Sequence, residues 1–87
     1  MKTKEIVLRP RTEIHDLTYK TKHARTFLDE GHRVKLTVRF KGREMAHPEY
    51  GQKVLDQAIG MIAGDFMVGP VKLEGRAMSM TLAPGKS

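Results

Sequence analysis

The sequence predicts an α+β fold, a two-layer α/β sandwich of order β-α-β-α-β-β with two helices on one face of a mixed four-stranded sheet. Three observations predict it: apolar and polar residues alternate over 33–41, two segments carry apolar residues at helical spacing, and a turn at Glu74–Gly75 joins two alternating segments. Because the outward residues of 33–41 are mostly cationic, both helices are expected on the other face. The sequence therefore predicts that the face of the sheet without helices is open and basic.

The segment 33–41 is the best-defined strand. Apolar residues occupy its even positions, namely Val34, Leu36, Val38 and Phe40, and polar residues occupy its odd positions, namely Arg33, Lys35, Thr37, Arg39 and Lys41. A period of two in a stretch rich in β-branched residues is typical of a strand with one buried face. On the other face, successive charges lie two residues apart, or about 6.6–7 Å.

The first strand and helix precede this segment. Residues 4–9 are predicted to form a strand that Pro10 ends, because proline cannot donate to a ladder. A right-handed crossover would make this strand parallel to the next one. Asp16 is expected to cap a helix that runs to Glu30, and Gly31 follows at the position of a C-cap glycine. Its apolar face is formed by Leu17, Ala24, Phe27 and Leu28, with Ile14 or Tyr19 at the edge.

A second helix is predicted to begin near Glu44 or after Pro48 and to end near Gly64. Its apolar stripe consists of Tyr50, Val54, Ala58, Met61 and Ile62, broadened by Leu55 and Ile59. Residues 66–83 predict a terminal hairpin, in which Pro70 places the first arm late or at a sheet edge.

Length and composition predict one domain over residues 1–87, which is near the lower limit for a stable core. There is no cysteine, so disulfides and thiolate metal sites are excluded. No apolar run approaches the roughly 20 residues of a membrane span, and the N-terminus lacks the apolar core of a signal peptide. A soluble, cytoplasmic protein without a membrane partner is therefore predicted.

The net charge of +6 is unevenly distributed. Residues 1–45 carry twelve Lys/Arg and six Asp/Glu, whereas residues 46–87 carry four of each. Such asymmetry indicates an anionic partner, with nucleic acid the commonest and acidic lipid second. The alternative is a charge that only keeps the protein in solution.

Metal, cofactor and catalytic sites are not predicted. The four histidines, His15, His23, His32 and His47, include no pair at the i, i+4 spacing of a zinc-binding helix. Nothing connects the neighbouring carboxylates, Glu44 with Glu49 or Asp29 with Glu30, to a nucleophile. The sequence therefore favours a binding protein over an enzyme.

Cations at strand ends, at turns and on the first helix are the candidate RNA-binding residues. They are Arg9, Arg11, Lys20, Lys22, Arg39, Lys41, Arg43, Lys72 and Arg76. Lys and Arg bind phosphates with release of counterions, and Arg also binds phosphate bidentately. With Phe27 and Phe40 assigned to the core, only Tyr19, Tyr50 and Phe66 remain for base stacking. Recognition of the shape and backbone of structured RNA is therefore favoured.

Four segments carry a family resemblance. V-R-F-K-G-R-E-M-A-H at 38–47, followed by G-x-x-V-L, resembles the central signature of the C-terminal domain of bacterial translation initiation factor three. The segments L-R-P at 8–10, F-L-D-E-G at 27–31 and E-G-R-x-M-x-M-x-L-A-P at 74–84 agree with that family in the same order. The loop reads R-P-R-T-E-I-H-D, where relatives often have R-P-G-T or R-P-x-T followed by a more acidic stretch, so Arg11 adds a charge there.

The resemblance implies a monomeric β-α-β-α-β-β domain that binds the small ribosomal subunit at its ribosomal RNA platform. It also implies hindrance of large-subunit joining and, through an indirect link to initiator tRNA, a part in start-codon selection. The family's subunit-binding positions correspond to Arg9, Lys20, Lys22, Arg39, Lys41, Arg43 and Arg76. The lysine-rich linker and N-terminal domain are absent, so an isolated domain is expected. A generic structured-RNA-binding module, such as a ribosomal protein or RNA chaperone, is the alternative.

Overall fold

The computed structural model describes residues 2–10, 13–62 and 64–85. Within these residues, two helices and five strands follow one another, with a 3-10 turn at Gly42–Ala46 before the second helix. The elements are β1 (Thr3–Leu8), α1 (Ile14–Asp29), β2 (Arg33–Arg39), α2 (Pro48–Met61), β3 (Phe66–Val68), β4 (Lys72–Glu74) and β5 (Ala77–Pro84). This architecture confirms the predicted α+β fold.

The sheet is mixed, and β2 lies between β1 and β5. β1 runs parallel to β2, with Leu8 opposite Val38, and β5 runs antiparallel to β2, with Met78 opposite Val38. Both β3 and β4 pair with the remaining edge of β5. The predicted parallel pairing of the first two strands is thus confirmed.

The predicted count of four strands is one too few, because the first arm of the terminal hairpin is broken in two. β3 pairs with the end of β5, where Phe66 lies opposite Pro84, and β4 pairs with its start, where Glu74 lies opposite Ala77. Between them, Gly69 N–H donates to Thr81 O over 2.8 Å, and Pro70 has no N–H to offer. The position of Pro70 at an edge was predicted correctly.

The hydrophobic core lies between the helices and one face of the sheet. Its largest fully buried side chains are Leu8, Leu17, Leu36, Leu55, Leu82, Val34 and Val38. Every strand residue in that set has an even number, as the alternation requires, and Phe40 joins the core with 4% exposure. The odd-numbered face of the sheet is left without a helix.

Both ends of α1 have a local explanation. At its C-terminus, His32 N–H donates to Phe27 O (2.9 Å) and Gly31 N–H donates to Leu28 O (3.0 Å), with Gly31 at φ 85°. These bonds form a Schellman motif and confirm the predicted cap glycine. The predicted N-cap is wrong: the helix starts at Ile14, so Asp16 lies in its first turn, where a negative charge is favourable.

The side chains predicted for the edge of α1 do not cover it. Ile14 is 61% exposed and Tyr19 is 62% exposed. The helix turns both away from the sheet, since its buried face is centred on Leu17, Ala24 and Leu28.

Both predicted starting points of the second helix mark real turns, because the 3-10 turn is followed by α2 from Pro48. The helix ends at Met61, before Gly64 with its φ of 88°. Tyr50 was predicted to belong to the buried stripe, but this prediction is wrong. Its side chain is 37% exposed and lies beside His47. The buried stripe is Gly51, Val54, Leu55 and Ala58.

Candidate nucleic-acid interface

The uncovered sheet face carries a shallow hollow of about 550 Å³, called here the open-face hollow. Thr37 of β2 and Ser79 of β5 pair across the strands at its floor and are almost buried. Its rim includes Glu5, Lys35, Arg39 and Arg76. Because strand side chains alternate between faces, the odd-numbered residues of β2 all belong to this side.

A second hollow, of about 660 Å³, lies where β1 and β2 end and is called here the strand-end hollow. It is lined by Val7, Arg9, Arg39, Lys41 and Glu44. Since β1 and β2 are parallel, the residues that follow each strand reach the same edge of the sheet. The fold thereby brings Arg9 together with Arg39 and Lys41, two predicted RNA-binding cations that lie 30 or more positions away from it in the sequence.

Arg39 and Lys41 line both hollows, so the two form one continuous cationic surface. Phe40 N–H donates to Arg76 O over 2.8 Å, and this bond holds the β4–β5 turn beside the end of β2. Among the residues that the structure describes, none of Arg9, Arg39, Lys41 or Arg76 has a carboxylate within 4.0 Å. Within these residues, the four cations are therefore not engaged in ion pairs.

The turn after β2 is held by reciprocal bonds between Lys41 and Glu44. Glu44 N–H donates to Lys41 O (2.8 Å), and Lys41 N–H donates to Glu44 Oε1 (2.8 Å). Gly42 between them has a φ of 39°. Glu44 thus holds the backbone of this turn, and the turn presents Arg43 to solvent.

The two predicted lysines of α1 differ in environment. Lys20 Nζ donates to Val7 O over 2.8 Å and lies 3.3 Å from Asp16 Oδ2, so it connects α1 to the end of β1. Its side chain remains 30% exposed. Lys22 is exposed, and neither lysine lines either hollow.

The other candidates are distributed around the same face. Lys72 and Lys35 line a smaller depression next to Ser79, on the β4 side of the open-face hollow. Lys35 was not among the nine candidates, although its place in the alternating segment was a signal that would have found it. Arg11 lies outside the described residues.

All four histidines lie within the described residues. Within residues 2–10, 13–62 and 64–85, no group of three or more His, Asp or Glu side chains is placed to hold a metal ion. His47 instead stacks on Tyr50, with ring centroids 4.9 Å apart, and its Nδ1 lies 3.1 Å from Glu49 Oε1. Two hydrogen bonds lower the pKa of the Glu49 carboxyl. The larger effect comes from its own backbone, and the smaller comes from the side chain of His47.

No helix in the part of the chain that the structure describes has the length and apolar character needed to cross a membrane.

Comparison with known proteins places these features in a family. Residues 1–85 match the family described as "Translation initiation factor IF-3, C-terminal domain". Among the similar proteins, "Translation initiation factor IF-3" of Treponema pallidum (strain Nichols) is 45% identical over 82 residues, which are 93% of this chain and 46% of that protein. The protein of the same name from Clostridium perfringens (strain 13 / Type A) is 48% identical over 85 residues, 97% of this chain and 48% of that protein.

A third relative, "Translation initiation factor IF-3" of Geobacter sulfurreducens, is 42% identical over 85 residues, 97% of this chain and 49% of its own length. The chain therefore spans about half the length of the curated relatives it matches. Their names are those of translation factors and not of enzymes, in agreement with the non-catalytic prediction. The chain belongs to the family of the translation initiation factor IF-3 C-terminal domain.

Proposed function

We propose that this domain acts in translation initiation by binding the small ribosomal subunit through its ribosomal RNA, in the cytoplasm and as a monomer. Bound there, it hinders joining of the large subunit by steric occlusion and contributes to selection of the initiator tRNA and start codon. Family membership and the unequal charge of the two halves of the chain support this proposal.

The observation that carries the proposal is the continuous cationic surface formed by Arg9, Arg39, Lys41 and Arg76. Its charges are not paired with carboxylates of the described residues, so phosphates are free to take that place. Binding of phosphates to such cations releases counterions, and the affinity therefore falls as salt rises. Arg43, Lys72, Lys20 and Lys22 extend the same positive field.

Surface shape supports backbone recognition. Of the odd-numbered positions of β2, three carry Arg or Lys and one carries Thr, so none of these described residues offers an aromatic ring for base stacking. A rigid sheet with cations at fixed spacing is suited to the phosphates of a folded RNA.

Sedimentation with purified ribosomal subunits over a salt series tests the proposal. We expect salt-sensitive co-sedimentation with the small subunit and reduced joining of the two subunits. Arg39→Ala should weaken the binding, whereas Lys53→Ala, which removes the same charge from an exposed position on α2, should not. Equal binding to both subunits would point to a generic RNA-binding module, and no binding at moderate salt would contradict the proposal.

A further inference from the structure

We infer that Glu5 makes the open-face hollow selective for an unpaired guanine base, which Glu5 recognises while the surrounding cations hold the flanking phosphates. This inference rests on the proposed function and adds a base-reading residue to it. Its starting point is a carboxylate that lies among Lys35, Arg39 and Arg76 in the lining of the open-face hollow.

The side chain of Glu5 is held in place without being neutralised. Thr37 Oγ1 donates to Glu5 Oε2 over 3.0 Å, and no Lys or Arg of the described residues comes within 4.0 Å of the carboxylate. Thr37 is itself 5% exposed, so the hydroxyl that orients Glu5 is fixed in the sheet. In the part of the chain that the structure describes, the other carboxylate oxygen, Oε1, receives no hydrogen bond.

The surroundings of Glu5 define what it can bind. Lys35 is its direct neighbour on β2, and Arg39 and Arg76 lie on the same rim. A carboxylate repels phosphate, so this position is unfavourable for contact with the RNA backbone. It is suitable for a ligand group that donates hydrogen bonds. The Arg and Lys side chains nearby bind the RNA backbone. In protein–nucleic acid interfaces, contacts to the bases then supply the sequence selectivity.

The size and chemistry of the hollow select the ligand. Its volume of about 550 Å³ is within the range of about 300–1,000 Å³ that is typical of small-molecule sites, so it has room for a nucleotide. A carboxylate accepts hydrogen bonds only, and guanine presents two adjacent donors, N1–H and the N2 amino group, on its Watson–Crick edge. Unpaired bases are read on that edge in RNA. The open-face hollow is therefore matched to guanine.

The experiment measures binding by fluorescence anisotropy, at fixed salt, to short oligouridines with one central guanosine, inosine or adenosine. Inosine lacks only the N2 amino group. We expect the wild type to prefer guanosine over adenosine by about fivefold to tenfold, the lower part of the range for a bidentate base contact, with inosine between them. In Glu5→Gln, which keeps an acceptor for Thr37, the preference should disappear.

Glu74→Gln is the matched control, because Glu74 lines the same hollow without a role in the inferred contact. It removes the same charge and should raise the affinity for all three oligomers equally, leaving the guanosine preference unchanged. If the wild type binds all three equally, or if Glu5→Gln keeps the preference, the inference is overturned while the proposed function stands. If the wild type binds none of the oligomers even at low salt, the inference is overturned, while the sedimentation experiment decides the proposed function separately.

Discussion

Gly51 of α2 lies directly against the ring of Phe40: a Cβ atom built on Gly51 would be only 2.5 Å from Cζ of Phe40. The ring is 4% exposed and immediately follows β2, between Arg39 and Lys41. This close approach packs α2 against the end of β2, next to Arg39 and Lys41. These are the two cations that line both hollows.

Gly51→Ala is expected to destabilise the domain, although alanine is favoured over glycine in a helix by about 1 kcal/mol. The added methyl group would overlap the buried ring, and overpacking of a core costs about 1–3 kcal/mol. Urea unfolding followed by circular dichroism measures the net effect. Gly60→Ala is the control, because nothing lies within 4 Å of its built Cβ atom. It should instead stabilise the domain by about 0.4–1 kcal/mol. A stabilised Gly51→Ala would contradict this view of the packing.

Arg39→Ala, Lys41→Ala and Arg43→Ala should each weaken RNA binding without unfolding the domain. All three side chains are exposed, and exposed charges contribute less than about 1 kcal/mol to stability. Each lost phosphate contact should also reduce the slope of log affinity against log salt by about 0.7–0.9. Binding at several salt concentrations, together with urea unfolding, checks both expectations. Normal binding by all three variants would show that this surface has been assigned wrongly.

Val38→Ala should lower the free energy of unfolding by about 0.5–3 kcal/mol, as is usual for a destabilising change in a core. Val38 is 0% exposed, and it pairs with β1 on one side and with β5 on the other. Val68→Ala makes the same change in β3, where the side chain is 48% exposed. It should have a clearly smaller effect on the urea midpoint, and equal effects would argue against the assigned core.

Lys20→Met should destabilise the domain by about 0.5–1 kcal/mol, because it removes the hydrogen bond to Val7 O. Its partial exposure keeps the effect small. Lys22→Met removes the same charge from an exposed position on the same helix and should leave the stability unchanged. Thermal unfolding compares the two variants, and equal midpoints would rule out a structural role for the Lys20 bond.

The carboxyl of Glu49 should titrate below its ordinary pKa of 4.5, because its own backbone and then His47 donate hydrogen bonds to the charged form. A lowered pKa in the folded state gives stability that is present above the unfolded pKa and is lost as pH falls through the folded value. The stability that the wild type gains over Glu49→Gln should therefore be present above pH 4.5 and be lost as the pH falls below it. Carboxyl chemical shifts measured against pH give the pKa directly. His47→Asn should raise it toward the ordinary value, and an unchanged pKa in that variant would exclude the His47 contribution.

Much of the fold can be predicted from local patterns of residues in the sequence. The period of two around Val38 fixed which face of β2 is buried, and Gly31 marked a helix end because only glycine readily takes its positive φ. Rules of this kind act within a few residues, so one sequence is enough to apply them. They failed for Asp16, because the helix begins two residues earlier, at Ile14, and its N-cap residue Glu13 makes no capping hydrogen bond through its side chain.

What the sequence by itself determined is the class of the fold, the buried face of each main element and the positive charge of the first half. Only the tertiary structure decided which of those charges meet. Parallel pairing of β1 with β2 joined Arg9 to Arg39, the bond from Phe40 to Arg76 O brought in the last turn, and Thr37 set Glu5 among the cations. These contacts join residues about 30 or more positions apart. Their geometry depends on strand pairing and on packing through the whole core, which no local pattern of residues encodes.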